Sequence, residues 1–350
     1  MTSWREAFAL QANACRALGS PLTARICEQL ALILAKDDSV LARRVRTWPG
    51  DPSHRADSVP LRLCGALHAL VLTGQNPELA QAYAEADDAT LYQRISHTIQ
   101  SDQAHMLEWL DHAPQTNEVA RAAVLIAGAW FLGHLVPNGR FDLLELGASA
   151  GLNLNFPHYR LAVSDRFEPA LLPGDEAAVW LTPEWRGTAP AYAPLAIGAA
   201  RGVDLNPLSP IKDGLRLLSY IWADQRARLE RMQAALALAE TCPPQVDRAD
   251  AGDWLVTRLN EASPNGRLVY HTVAAQYFPA ATRDKIESAL LAAGAKASFD
   301  RPLAHLSMEA DGGDGAALAL RLWAGGMMRE WRLGRADFHA RWIDWQPKEI

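Results

Sequence analysis

The sequence predicts an α/β protein in which an all-helical segment precedes a doubly wound parallel sheet that finishes in an antiparallel hairpin. Three observations carry this. Residues 3 to about 136 place apolar side chains at helical spacing and contain no convincing strand. From Arg140 onward, short apolar runs alternate with helical stretches, the pattern of strands joined by crossover helices. Near the C-terminus two further apolar runs flank Ala324-Gly325-Gly326, a hairpin signal. A chain of 350 residues can bury two cores. The expected domains are 1–138, helical, and 139–350, built on the sheet.

In the first half, breaks fall at Gly19-Ser20-Pro21, Trp48-Pro49-Gly50-Asp51-Pro52, Gly74-Gln75-Asn76-Pro77 and Ala113-Pro114. The last helix begins near Thr116 or Asn117, where a capping side chain and the acidic Glu118 suit a helix N-terminus. Pro137-Asn138-Gly139 ends it. In the second half, strands are expected at 141–146, 196–204, 245–249, 267–272 and 303–309. Helices are expected at about 151–156, 211–240, 252–261 and 280–293, and the hairpin strands at 316–323 and 328–333. Residues 157–194, rich in Pro, Gly, Trp and acidic side chains, read as an inserted hairpin or lid. A parallel sheet closed by an antiparallel hairpin is the layout of a Rossmann-like class I methyltransferase fold.

Composition narrows the function classes. There are 34 basic and 40 acidic side chains, a formal net charge of -6, and no dense Lys/Arg block to follow a phosphate backbone, so nucleic acid is not an expected partner. Arg5 and Glu6 interrupt any apolar run at the N-terminus, and Arg121 and His134 interrupt Ala120–Val136. Neither a signal peptide nor a membrane span is expected, and the reading is cytoplasmic. Cys15, Cys27, Cys64 and Cys242 are scattered and read as reduced thiols. His97, His105 and His112, near Asp102 and Glu108, fit a polar helix face better than a ligand set, so no metal is expected. Trp222, Trp323, Trp331, Trp342 and Trp345 read as packing residues.

The segment from Phe141 to Asn153 reads as a buried strand, a small-residue turn and a helix start, and it fits two motifs. As Glu-x-Gly-x-Ser-x-Gly it suits a loop that binds S-adenosylmethionine, with Glu145, Gly147, Ser149, Gly151 and Asn153 as the cradle. As Gly-x-Ser-x-Gly it is a serine-hydrolase elbow with Ser149 as nucleophile. Asp204 and His271 follow in the order a triad requires. Against the hydrolase, no strands precede the elbow, and Glu145 at the strand end has no use there. The NAD fingerprint fails because neither its second nor its third glycine is in place.

An adenosyl ligand also needs an acid at the end of the second strand for its ribose hydroxyls. Gly202-Val203-Asp204-Leu205-Asn206-Pro207 supplies Asp204, although it lies 59 positions after Glu145 (204 minus 145). Asp165 sits nearer the interval of about 20 found in simple dinucleotide units, but in a segment with less strand character. A third loop offers Asp250 and Ala251 to the adenine. His271, at the polar end of a strand, could accept a proton from a substrate hydroxyl or amine, or could merely bond the sheet edge. Gln115, Asn117, Glu118 and Arg121, with Thr272, Gln276 and Tyr277, are the expected substrate pocket for a small molecule, covering the cofactor loop. A binding module without catalysis is the remaining alternative.

Several segments together resemble one family. They are Gln11-Ala12 through Pro21, Gln115-Thr116-Asn117-Glu118-Val119 with Arg121, Leu144 through Leu154, Gly202 through Leu208, and His271-Thr272 with Gln276-Tyr277. The resemblance is to the bacterial domain of unknown function 2332, and it spans essentially the whole chain. It implies a second half similar to methyltransferases and no named activity. The chain departs from the family pattern at Ala120, Ala324 and Ala340, where glycine, proline and glycine respectively are more usual.

Overall fold

A computed structural model describes residues 2–85, 87–163, 166–168, 170–172 and 179–350. Asp165 and the middle of the insertion lie outside the described residues. The helices are α1 (Trp4–Ala17), α2 (Pro21–Lys36), α3 (Val40–Arg46), α4 (Val59–Leu72), α5 (Pro77–Glu85), α6 (Asp88–Ser101), α7 (Gln103–Leu110), α8 (Ala122–Leu135), α9 (Gly214–Ser219), α10 (Arg226–Thr241), α11 (Ala251–Asn260) and α12 (Ala280–Gly294). The strands are β1 (Arg140–Leu146), β2 (Arg160–Val163), β3 (Arg166–Phe167), β4 (Trp180–Leu181), β5 (Glu184–Gly187), β6 (Ala196–Asp204), β7 (Val246–Arg248), β8 (Gly266–Thr272), β9 (Leu303–Ala310), β10 (Ala316–Ala324), β11 (Met327–Ala336) and β12 (Trp342–Glu349). The protein is mixed α/β, as the hydrophobic periodicity predicts.

The chain forms two compact units, Met1–Thr116 with Lys212–Gln233, and Asn117–Ile211 with Ala234–Ile350. The boundary read at residue 138 therefore moves to 116, and a later helical segment joins the first unit. The physical reason is α8. Its apolar residues are buried almost all round, from Ala122 to Gly133, which suits a helix under a sheet rather than one with a solvent face.

The first unit is helical. Phe8, Leu30, Leu34, Leu63, Leu67, Ile95 and Met106 belong to one buried cluster. Ser3, Ser20, Ser39 and Asp87 cap their helices by accepting a backbone N–H. Cys15 and Cys27 are fully buried, Cys64 nearly so, and all four cysteines are free thiols. The helix expected over 211–240 is instead two, α9 and α10. The intervening Asp224 accepts from the Ser20 hydroxyl and from Leu22 N–H at the start of α2, which draws that residue into a turn.

The second unit holds a nine-stranded sheet in the order β5-β12-β11-β10-β9-β8-β1-β6-β7. Strands β7, β6, β1, β8 and β9 are mutually parallel. Taken in chain order they stand as 3-2-1-4-5, the doubly wound arrangement, and the order reverses between β1 and β8. Leu144, Leu146, Val203 and Val269 bury one sheet face together with Trp254 and Leu255 of α11 and Ile286 and Leu290 of α12. The C-terminal hairpin forms with Gly325 and Gly326 both at positive φ, 59° and 79°, the conformation a tight two-residue turn demands. The sequence reading missed β12 and β5, which extend the sheet beyond the hairpin. Residues 152–158 form a 3-10 helix, where an α-helix was expected over 151–156; Pro157 cannot supply an α-helical N–H. In the insertion β2, β3 and β4 form a small separate sheet, while β5 pairs with β12. Among the described residues no helix is long and apolar enough to cross a membrane.

Candidate functional site

The turn after β1 sits where ligands bind in doubly wound sheets, outside the carboxyl ends of the strands at the order reversal. Its backbone alternates. Gly147, Ser149 and Gly151 have φ of 70°, 54° and 74°, so each motif position is left-handed. A Cβ at Gly147 would meet Cβ of Ala274 at 2.7 Å, and one at Gly151 would meet Pro244 and Val246 at 2.7 Å. Both glycines are needed for backbone and packing alike, and Ser149 holds a conformation that glycine adopts without strain.

Asp204 organises this turn. Its Oδ2 accepts from Ser149 N–H at 2.9 Å and its Oδ1 from Asn206 N–H at 2.8 Å. The loop is also tied from the chain's middle. Asn117 Oδ1 accepts from Leu152 N–H at 2.9 Å, and the Asn153 amide donates to the Glu118 carbonyl at 3.3 Å. Asn117 and Glu118 thus meet the residues just after the loop. Gln115 belongs to the first unit and Arg121 turns elsewhere, donating to the carbonyls of Phe338 and Thr272.

Beneath the loop lies an unbalanced set of acceptors. Glu145 is 3% exposed, and its Oε2 has no hydrogen-bond partner; neither does Oδ1 of Asn153, which is 2% exposed. Glu145 pairs in register with Tyr270, whose hydroxyl donates to the Asn153 carbonyl at 3.4 Å. Burial, and then the neighbouring Asp204, push the Glu145 carboxyl well above its ordinary range. Tyr159 donates its hydroxyl to Leu152 O at 2.6 Å and is thereby committed.

Asp250 is occupied differently from the adenine role. It caps α11, with Oδ1 accepting from Gly252 and Asp253 N–H, and its Oδ2 takes the Thr282 hydroxyl at 2.6 Å. Burial opposes its charge, but these bonds hold the carboxyl below its usual range. Ala251 begins the helix and packs in the core. Gln276 and Tyr277 are exposed, Tyr277 at 77%.

His271 is not a free base. Its Nδ1 lies 2.7 Å from Glu309 Oε1 and its Nε2 lies 3.0 Å from Nε2 of His305. His305 Nδ1 in turn faces Arg321 at 3.0 Å, and Arg321 pairs bidentately with Glu287 at 2.6 and 2.8 Å. Neither is a triad assembled, since Asp204 holds backbone N–H groups and both His271 nitrogens are taken. Sequence reasoning missed Glu309, His305 and Arg321. The one available signal was Glu309 closing the expected strand 303–309, near a strand end as Glu145 is in 141–146.

A cavity of about 650 Å³ lies at the opposite edge, lined by Asn265, Arg267, Pro302 and Leu303 at the starts of β8 and β9. It lies at the amino ends of these strands, opposite the end at which doubly wound sheets bind ligands.

A sequence profile of the family described as an uncharacterized protein conserved in bacteria (DUF2332) matches residues 5–345. No curated protein and no solved structure matches the chain. Ala340, where the resemblance leads to the expectation of a glycine, adopts φ of 51°, the left-handed backbone that glycine adopts freely.

Proposed function

Since the chain belongs to DUF2332, a family whose description carries no activity, we propose from the site itself that it binds S-adenosylmethionine at the 147–151 loop and methylates a small molecule. The observation that carries this reading is the pair of buried, unpartnered acceptors, Glu145 Oε2 and Asn153 Oδ1, beside that loop. Burial favours the neutral form of the ligand-free Glu145 carboxyl, and a ligand that brings N–H donors and positive charge would meet both acceptors and favour the carboxylate. The ammonium end of S-adenosylmethionine has that chemistry.

The other residues agree in part. Each Asp204 oxygen accepts one backbone N–H, and a carboxylate offers about four acceptor sites, which leaves capacity for ribose hydroxyls. The strand order 3-2-1-4-5 and the C-terminal hairpin support a class I methyltransferase-like fold. Asp250 fits the adenine role poorly because its oxygens are already engaged by the α11 cap and Thr282. Asn117 and Glu118 brace the helical turn that follows the loop, and Gln276 and Tyr277 are exposed and lie in the chain between Ala274 and Phe278, which face Gly147. The bound cofactor would supply an electrophilic methyl group. The chain's own part is to hold the ligand's ammonium at Glu145 and orient its ribose at Asp204.

Calorimetric titration of the full chain with S-adenosylmethionine and with S-adenosylhomocysteine tests the reading. Saturable binding of both, weakened in Asp204→Ala, supports it. Failure of the wild-type protein to bind either one overturns it.

A further inference from the structure

The turn that follows β8 is held in an unusual shape. Val273 has φ of 53°, a left-handed backbone that β-branched residues adopt only under restraint. Its N–H donates to Met308 O at 2.7 Å, and the next two N–H groups, of Ala274 and Ala275, both donate to Glu309 Oε1 at 2.9 and 3.1 Å. Ala274 is the residue that a Cβ on Gly147 would strike. Glu309 therefore fixes the wall facing the 147–151 loop.

What fixes Glu309 is a chain of four further side chains. A guanidinium only donates, so His305 Nδ1, 3.0 Å from Arg321 Nη2, must accept. The His305 proton then sits on Nε2 and is donated to His271 Nε2. His271 keeps its own proton on Nδ1 and donates it to Glu309. Were His271 doubly protonated, His305 would have to accept at Nε2 and carry a proton on Nδ1 against the Arg321 donor. One arrangement satisfies every contact, with both rings neutral. Because Arg321 stays charged, the chain cannot pass a proton to Glu287; it orients groups and does not conduct.

We propose that Arg321 is a positioning residue for the candidate site: through the tautomers of His305 and His271 it sets the Glu309 carboxylate that holds the Val273–Ala275 turn against the 147–151 loop. The functional consequence rests on the ligand reading of that loop, while the chain itself is tested without ligand.

The experiment is nitrogen-15 NMR of the histidine rings and amide hydrogen exchange on the ligand-free full-length protein. In the wild type His271 should carry its proton on Nδ1 and His305 on Nε2. In Arg321→Met, His305 should populate both tautomers, and the amides of Ala274 and Ala275 should exchange about ten- to a hundredfold faster, while Val273, bonded to a backbone carbonyl, should not. Arg321→Lys, which restores one donor, should recover the wild-type pattern. A wild-type His271 protonated on Nε2 overturns the proposal, and so does an Arg321→Met protein with unchanged tautomers and exchange. Should Arg321→Met not fold, the wild-type tautomers and Arg321→Lys decide. Loss of S-adenosylmethionine binding would sink the ligand reading and leave these results untouched.

Discussion

Nδ1 of His271 lies 2.7 Å from Oε1 of Glu309, so this histidine near the carboxyl end of β8 has its Nδ1 directed to a carboxylate and not toward a substrate. The same carboxylate is held below its ordinary range although burial works against its charge, because His271 and the N–H groups of Ala274 and Ala275 outweigh desolvation.

His305, the next ring, is held well below its ordinary value by burial, and further by His271 and Arg321. Unfolded, the same ring takes up a proton as pH falls through about 6.5, while the folded protein does not. The unfolded state then binds more protons, so stability declines below that pH and is unaffected above it. The urea midpoint should fall between pH 7 and 5, and His305→Gln should reduce that slope. His68 and His158, also depressed, act in the same direction, so part of the slope should remain. A slope unchanged in the variant contradicts the arrangement.

Glu145 has the opposite linkage. Its raised carboxyl favours the folded state below the ordinary glutamate value, and that contribution is lost as pH rises through the folded value. Glu145→Gln removes a group that ionises more readily unfolded than folded, so the ligand-free variant should be more stable at neutral pH by about 1–3 kcal/mol. The advantage should shrink as pH approaches about 4.3. Equal stability of variant and wild type at pH 7 would show that the carboxylate is not strained.

Asp250 separates capping from adenine recognition. Asp250→Ala should cost about 1–2 kcal/mol of stability through the lost α11 cap, measured by denaturant unfolding. Its effect on S-adenosylhomocysteine affinity should be slight. A large loss of affinity at unchanged stability would restore the adenine role.

Ser149 holds a left-handed backbone and donates its N–H to Asp204. Ser149→Gly should leave stability within about 1 kcal/mol of wild type, because relief of the left-handed strain offsets the entropy of glycine. A fluorophosphonate probe should leave Ser149 unlabelled. Covalent labelling there would revive the hydrolase alternative.

Much of the sheet was legible because its strands are short, largely apolar runs: Phe141 to Leu146 and Leu268 to Thr272, though each carries polar residues, are buried in the sheet's middle. The glycine pair at 325–326 announced its turn for a steric reason that holds in any context. Trp342–Glu349 carries Pro347 and exposed charges toward its end, as an edge region does, and only pairing with β11 and β5 reveals it as a strand. The boundary at 138 failed because helicity marks an element's type and not the layer it packs in. At the candidate site, the loop that Glu145, Gly147 and Gly151 shape and the Asp204 that holds it were visible as a contiguous motif and a strand-end acid. Glu309, His305 and Arg321 were not, since they sit on β9 and β10 and act only through neighbours that the ladder with β8 brings together.

The most direct measurement compares wild type and Glu145→Gln in calorimetric titration with S-adenosylmethionine. Saturable binding by the wild type is expected, with an affinity about ten- to a hundredfold weaker in the variant through the loss of one charge-assisted bond to a buried carboxylate. Equal affinity in the two proteins, or no binding by the wild type, would contradict it.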